Sequence, residues 1–202
     1  KPLFVTYKNL LSNSKYLRYC LISCLSYSAL FTFLACSPYL LIGFLKCTAL
    51  EYGYIMIIIA TAFLIIGFNI ATIIKVIPQK ALLAIAGLIM MLGSVLLYTW
   101  NHFSQPSLVS VILPLYLIYI AIGLLRATAS ALALDCTNSK NAGSASALFG
   151  FLSFIGASLA ANLGPFAGSH PIHLALIVFA FGMSILVLAL SLLCSRHQPW
   201  TR

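Results

Sequence analysis

The sequence predicts an all-α integral membrane protein that crosses the bilayer six times. Of its 202 residues, 62% are hydrophobic and only 6% are charged, and the mean hydropathy is +1.09. A soluble domain is usually about 45–50% apolar and about 25% charged, so a water-soluble fold is excluded. Six apolar runs supply the crossings, and they cover residues 17–42, 53–74, 80–99, 108–134, 143–165 and 171–194.

Each apolar run is predicted to be a helix. A helix needs about 20 residues to cross the hydrocarbon core, and every run is about that long or longer. The runs are continuously apolar, whereas a strand of a membrane barrel alternates over about ten residues. Because lipid offers no partner for unpaired backbone groups, a helix is the remaining way for these runs to cross it.

The runs are separated by residues that end or begin helices. Pro38 and Gly43 lie near the end of the first run. Thr48 and Glu51 have the spacing of a capping box, which predicts the start of the second helix. Pro78 separates the second and third runs. The remaining breaks are predicted at residues 101–106, 135–140 and 164–171.

Basic residues predict the orientation of the spans. Nine Lys and Arg residues lie in segments on the side of the N-terminus, Lys46 alone lies on the opposite side, and Arg126 lies within a span. Basic residues concentrate in cytoplasmic loops, so we expect both termini in the cytoplasm. This divides the chain into a cytoplasmic linker at 1–16, a transmembrane domain at 17–194 and a cytoplasmic tail at 195–202. The basic opening without Met suggests a piece of a longer protein.

The first and fourth spans are the most polar. The first carries several Ser, Thr and Tyr residues, and the fourth carries Arg126, Thr128 and Ser130. Polar groups within the membrane turn away from lipid, so these two spans are expected to line an interior cavity. The predicted substrate-binding residues are Arg126, Tyr27 and Thr32. Packing remains an equal alternative for the Tyr27 ring.

The fifth and sixth spans differ from these in composition. The sixth is almost uniformly large and aliphatic, so it is expected to face lipid. The fifth has small residues at helical spacing, which favour the close approach of another helix. These residues are Gly143, Ala147, Gly150, Ala157, Ala161 and Gly164.

Arg126 has two interpretations. It lies nine residues, or roughly 13 Å, from Asp135 at the cytoplasmic end of its span. In the first interpretation its side chain extends along the helix to the headgroups. In the second it faces an aqueous cavity and meets a substrate, a carboxylate or backbone carbonyls. Asp135 is predicted on the opposite face of the same helix, so a carboxylate partner would have to lie outside this chain.

Signatures of catalysis and metal binding are missing from the sequence. It contains no HExxH motif, no glycine-rich phosphate loop and no CxxC pair. His170 and His173 are three residues apart, but no carboxylate or Cys accompanies them. No His or Lys falls in mid-span, where it could serve as a catalytic base. We therefore expect neither an enzyme nor a cofactor, and the scattered basic residues form no patch for nucleic acid.

Three stretches are similar to a known transporter family. Ser37-Pro38 lies near the end of the first span, and Asn69 precedes a short basic loop and Ala86-Gly87. The most specific stretch is Asn141-Ala-Gly-Ser-Ala-Ser-Ala-Leu-Phe-Gly150, which contains an Ala-Gly-x-Ala-Ser motif. These features resemble the Bcr/CflA-type drug-resistance branch of the major facilitator superfamily.

The resemblance covers nearly the whole chain and aligns it with helices seven to twelve of such a transporter. It implies a C-terminal half built as a three-plus-three inverted repeat. It also implies proton-driven multidrug efflux of small amphiphilic compounds by an antiporter of the bacterial inner membrane. The proton-binding acids would lie in the N-terminal six-helix half. The second and fifth spans would contact that half, and the third and sixth would face lipid.

The sequence departs from the family at two places. The loop Lys75-Val-Ile-Pro-Gln-Lys80 lacks the usual Arg/Gly cluster, and Leu125-Arg126 stands where the family often has Pro-Asn. A second hypothesis is a self-associating six-span channel or an accessory membrane subunit without proton coupling. The lack of a mid-membrane carboxylate in the sequence favours that alternative.

Overall fold

The computed structural model describes residues 3–137, 141–162, 164 and 170–194. The helices of this part of the chain are α1 (Leu3–Leu11), α2 (Ser14–Pro38), α3 (Ala49–Val76), α4 (Gln79–Phe103), α5 (Leu108–Asp135), α6 (Ala142–Ala161) and α7 (Pro171–Cys194). Helices α2 to α7 are each long and apolar enough to cross a membrane. The predicted all-α fold with six spans is therefore confirmed, while the predicted tail at 195–202 lies outside the described residues.

Side-chain caps begin three of the spans. The Asn13 carboxamide accepts hydrogen bonds from the first turn of α2. At α3, the Glu51 N–H donates to the Thr48 hydroxyl over 3.3 Å and the Thr48 N–H donates to the Glu51 carboxylate over 2.8 Å. This confirms the predicted capping box. Ser107 and Ser110 form a second box at α5, which the sequence analysis did not identify.

The first span is longer than predicted. Its helix continues past Pro38 through a π-helical turn, Tyr39–Phe44. The amide N–H of Leu45 donates to the Leu40 carbonyl over 3.0 Å, so the turn keeps its backbone paired. The chain then reverses at Lys46, whose φ of 58° ends the helix in the left-handed region.

Helix α1 lies within the segment predicted as a linker. Leu3–Leu11 is helical and packs against α2 and α6, and Thr6 and Leu10 are buried there. Nine residues are too few to cross a membrane, so a search for long apolar runs does not find this helix.

Helices α2 and α5 form the centre of the bundle. Helix α6 packs on α2, and α3 packs on α5. On another side, α4 packs on both α5 and α7, and α7 also contacts α2. Exchanging the first three spans with the last three turns the α2–α6 pair into α5–α3 and the α4–α5 pair into α7–α2, and it leaves α4–α7 unchanged. This is the relation that a three-plus-three repeat predicts.

The spans differ in how much of their surface this packing covers. In their most apolar windows, 61% of α5 and 56% of α2 are buried, against 17% of α3 and 28% of α6. Helix α4 is 50% buried because α5 and α7 both cover it. Helix α4 is the third span, which the resemblance placed against lipid. Only part of its surface is available to lipid, because the neighbouring helices cover the rest.

Helix α6 and the residues just after it pack closely against α2 at two glycines. A Cβ atom at Gly156 would collide with the Cys24 sulfur, and one at Gly164 would lie 2.5 Å from the Ala35 Cβ. Gly143 and Gly150, by contrast, have open space where a Cβ would stand. The glycines of this segment therefore pack on α2 in its C-terminal half and have open space at the Cβ position in its N-terminal half.

Candidate substrate-binding site

Arg126 and Tyr27, two of the three predicted site residues, lie in direct contact. The guanidinium carbon of Arg126 lies 3.5 Å from the centroid of the Tyr27 ring. Arg126 comes from α5 and Tyr27 from α2, so the contact joins the two central helices. A guanidinium over an aromatic face is attracted by the negative charge density of the ring. This contact holds the side chain of Arg126 against α2.

Two further aromatic rings complete a cluster with Tyr27. The ring centroid of Tyr27 lies 6.1 Å from that of Phe31 and 5.3 Å from that of Phe154, and the two Phe centroids are 6.5 Å apart. Phe154 comes from α6 and is 56% exposed. We call Arg126, Tyr27, Phe31 and Phe154 the arginine–aromatic cluster. The sequence analysis missed both Phe residues.

Of the two missed residues, Phe31 could have been found from sequence spacing and Phe154 could not. Phe31 follows Tyr27 by four positions, which places both on one helix face. Phe154 belongs to another helix, and its place beside Tyr27 depends on how α6 packs against α2. No sequence spacing reports that arrangement.

The guanidinium lies at mid-helix level. Tyr27 follows Ser14 at the start of α2 by 13 residues, or roughly 20 Å of helix. Phe154, in the same cluster, follows Ala142 by 12 residues on α6. A side chain held against these rings does not reach the helix ends. This geometry favours the interpretation in which Arg126 faces a cavity over the one in which it extends to the headgroups.

No hydrogen bond joins Arg126 to Thr128 or Ser130, its polar neighbours in the sequence of α5, in the described structure. The Thr128 hydroxyl donates to the Leu124 carbonyl over 2.6 Å, and Ser130 donates to the Ala127 carbonyl over 3.0 Å. Only two acidic residues exist in the chain. Glu51 caps α3 and Asp135 is exposed at the end of α5. Within the described residues, the guanidinium therefore has a ring partner but no anionic one.

Thr32, the third predicted site residue, follows Phe31 in the chain, but its hydroxyl bonds to backbone carbonyls and makes no contact with Arg126 or Tyr27 among those described. Its side chain is fully buried, and its hydroxyl donates to the carbonyls of Ser28 over 2.8 Å and Ala160 over 3.2 Å. The structure thus places Thr32 between α2 and α6. Its part in substrate binding stays a prediction.

Hydroxyl groups link α2 to α6 at three levels. The Tyr16 hydroxyl donates to the Ala145 carbonyl over 2.7 Å, and the hydroxyls of Ser23 and Ser153 are 2.9 Å apart. Thr32 makes the third link. The polarity of the first span led us to expect a cavity lining, but these groups join two helices instead. A hydroxyl in an apolar interior needs a partner, and a neighbouring helix supplies one.

Tyr119 has the opposite property, because its buried hydroxyl is unpaired. The side chain is 4% exposed, and its oxygen has no hydrogen-bond partner within the described part of the chain. The rings of Phe33 and Phe63 form T-shaped pairs with the Tyr119 ring, at centroid distances of 5.7 Å and 5.3 Å. Tyr119 precedes Arg126 by seven residues, which is about two helical turns on the same side of α5.

We expect Tyr119→Phe and Tyr16→Phe to have opposite effects on stability. An unpaired buried hydroxyl costs about 1–3 kcal/mol, so removing it at Tyr119 should raise the melting temperature or leave it unchanged. Removing the Tyr16 hydroxyl deletes the bond to Ala145 and should lower it. Thermal unfolding of the purified protein measures both variants. A clear loss of stability in Tyr119→Phe would show that its hydroxyl has a partner.

No family model and no curated protein matches the chain. The arrangement itself suggests a chemistry, since it joins one cation to three aromatic rings at mid-helix level. It can attract a negative group through the guanidinium and hold a flat apolar group against the rings. Among the described residues, no group of three His, Cys, Asp or Glu side chains could hold a metal ion.

An apolar pocket of about 170 Å³ lies elsewhere, between α4 and α7. Its lining includes Tyr98 and Phe179 and presents no polar surface. None of its lining residues is charged, so it has no group that selects a ligand by charge. We therefore place the candidate site at the arginine–aromatic cluster.

Proposed function

We propose that the chain is one six-helix half of a proton-driven efflux transporter for small amphiphilic compounds. The observation that carries the proposal is the arginine–aromatic cluster, which joins the central helices α2 and α5 to α6 at mid-helix level. A charged side chain at this depth is expensive to keep, and in membrane proteins it marks a substrate or ion pathway. The resemblance to the Bcr/CflA-type branch of the major facilitator superfamily supports the same function.

The helix arrangement supports the place of this chain within such a transporter. Helices α3 and α6 flank the central pair and carry large exposed apolar side chains, including Ile57, Phe68, Phe151 and Leu159. A second six-helix half would cover these flanks, while α4 and α7 would stay on the lipid side. In this proposal the chain is the C-terminal half, helices seven to twelve.

The distribution of acids divides the work between the two halves. Glu51 and Asp135 lie at helix ends, so neither can carry a proton across mid-membrane. The proton-binding carboxylates would come from the N-terminal half. The resemblance implies the bacterial inner membrane, and the basic loops predict that both termini lie in the cytoplasm.

A self-associating six-span channel, or an accessory subunit without proton coupling, is the second candidate. The missing mid-membrane carboxylate favours it, since this chain alone has no group for coupling. The open faces of Gly143 and Gly150 on α6 could then meet a second copy. Transport of an amphiphilic dye in inside-out vesicles separates the candidates. The transporter requires dye accumulation that a protonophore abolishes, and accumulation that persists without a proton gradient contradicts it.

Cysteine labelling tests the proposed orientation. On a background without the native Cys residues, Ser104→Cys should react with a membrane-impermeant maleimide from outside, and Pro78→Cys only from the cytoplasm. Both positions are exposed and neither carries a charge, so the substitutions leave the basic bias intact. Labelling of both positions from the same side would contradict the six-span topology.

Native Cys47 is a poor reporter for that experiment. It lies in the same outer loop as Lys46 but is only 5% exposed. Burial, and secondarily the Glu51 carboxylate, raise the pKa of its thiol above the usual range. Little reactive thiolate is therefore present at neutral pH.

A further inference from the structure

The guanidinium of Arg126 has unused binding capacity. A guanidinium carries five N–H donors and no acceptor. In the described structure one face of the group lies on the Tyr27 ring, and the nearby hydroxyls of Thr128 and Ser130 donate to their own backbone. The two acids of the chain lie at helix ends, so the donors at the edge of the guanidinium have no anionic partner in the described structure, which is costly for a half-buried charge.

The charge balance near the cluster selects among possible ligands. The chain carries a net charge of +9, and its two acids lie at helix ends. A cationic compound at the cluster would be repelled by Arg126 and would find no carboxylate from this chain. A neutral compound would leave the guanidinium uncompensated. An anion removes both problems through charge-assisted, bidentate hydrogen bonds.

The surrounding rings add a shape requirement. The rings of Phe31 and Phe154 lie beside Tyr27 and within 6.5 Å of each other, and the Tyr27 ring is in contact with Arg126. Phe154 is more than half exposed, so its ring is available to a ligand. Aromatic groups pair favourably with their ring centroids about 4.5–7 Å apart. A flat ring beside an anionic group would therefore match both parts of the cluster.

We infer that the arginine–aromatic cluster binds small aromatic anions, with the anionic group on Arg126 and the ring against Phe31 and Phe154. This inference rests on the proposed function and names its substrate class. A carboxylate of the second half, or the phosphate of an anionic lipid, would satisfy the same guanidinium. These two occupants are the outcomes that the experiment must separate from a substrate.

Three probes with one ring system and different charges test the inference. They are naphthalene-1-sulfonate, naphthalene-1-sulfonamide and 1-naphthyltrimethylammonium, which are anionic, neutral and cationic. Binding to the complete purified transporter is measured by calorimetry in zwitterionic detergent. We expect the sulfonate to bind about tenfold or more tightly than the other two. Arg126→Gln should remove that preference and leave binding of the sulfonamide within about twofold.

Two variants at the ring partner sharpen the measurement. Tyr27→Phe keeps the ring under the guanidinium and should retain the preference for the sulfonate. Tyr27→Leu removes the ring and should weaken binding of all three probes while the anion stays preferred. Equal binding of the three probes to the unmodified protein, or an equal loss of all three in Arg126→Gln, would overturn the inference. The latter result would indicate that Arg126 pairs with a carboxylate of the second half.

Transport measurements distinguish failure of the inference from failure of the proposed function, and lipid measurements identify a lipid headgroup at the site. If proton-driven transport occurs without charge preference, the inference fails and the proposed function stands. If the amphiphilic dye is not accumulated in a proton-dependent way, the proposed function fails, and the binding data alone decide the inference. Sulfonate affinity is also compared in phosphatidylcholine and phosphatidylglycerol membranes. A large loss in phosphatidylglycerol that Arg126→Gln abolishes would assign the site to a lipid headgroup and overturn the inference.

Discussion

Arg126→Leu is expected to lower proton-driven efflux by the complete transporter about tenfold or more, while its amount in the membrane stays near normal. The guanidinium is the only charge in the arginine–aromatic cluster, and it lies 3.5 Å from the Tyr27 ring centroid. Leucine is easier to insert into the bilayer than arginine by about 3 kcal/mol on insertion scales. A loss of transport would therefore come from the lost charge and not from poor insertion.

Arg126→Lys separates charge from shape. Lysine keeps the positive charge but loses the planar fork that binds a carboxylate or sulfonate through two parallel hydrogen bonds. We expect partial efflux, between that of the unmodified protein and that of Arg126→Leu. The measurement is efflux in inside-out vesicles, normalised to the transporter level. Full activity in Arg126→Leu would show that the side chain has no part in transport, as the headgroup interpretation requires.

Gly156→Ala is expected to destabilise the protein by about 1–3 kcal/mol, because the added methyl group overfills the α2–α6 interface. The new Cβ would collide with the Cys24 sulfur, while the next atoms, the Ser28 hydroxyl oxygen and the Cys24 Cβ, lie at 3.3 Å and 3.4 Å. One atom thus causes most of the conflict. Thermal unfolding of the purified protein should show a lower melting temperature for this variant.

The double variant with Cys24→Ala tests that assignment. Removing the sulfur leaves room for the methyl group at position 156, so Cys24→Ala should restore much of the lost stability. Gly150→Ala is the matched control, since its Cβ would meet nothing within 4 Å and alanine favours the helix. Additive losses from Gly156→Ala and Cys24→Ala, with no rescue, would show that contact with the sulfur is not the cause of the destabilisation.

In α6, the fifth span, the pattern of small residues predicted close packing but not which residues take part in it. The spacing of Gly143, Gly150, Ala157 and Gly164 predicted a helix-packing stripe on the fifth span. In the structure Ala157 is buried and a Cβ at Gly164 would meet Ala35 of α2, whereas a Cβ at Gly143 or Gly150 would meet nothing within 4 Å. Gly156, which makes the closest approach, was not in the predicted stripe. Periodicity reports that a helix has a small face, but the partner sets which residues that face uses.

The candidate site shows a similar division. Arg126 could be singled out because a charge within an apolar run is conspicuous, and Tyr27 because it lies in a polar span. Their contact, and the addition of Phe154, depend on the packing of α2 against α5 and α6. Thr32 was predicted from the same polar span as Tyr27, yet its hydroxyl joins α2 to α6. Residue type alone does not distinguish a cavity wall from a helix interface.

The amino-acid sequence was sufficient to predict an all-α membrane protein with six spans and to place the capping box at Thr48 and Glu51. These features depend on local quantities, because apolar length sets a crossing and a cap needs only its own turn. Three other features came from the packed structure: which hydroxyls join helices, which glycine permits close approach, and which rings gather around Arg126. In lipid every helix is apolar on its outside, so hydrophobicity does not report which faces meet. Close packing and hydrogen bonds between residues far apart in the chain make that choice.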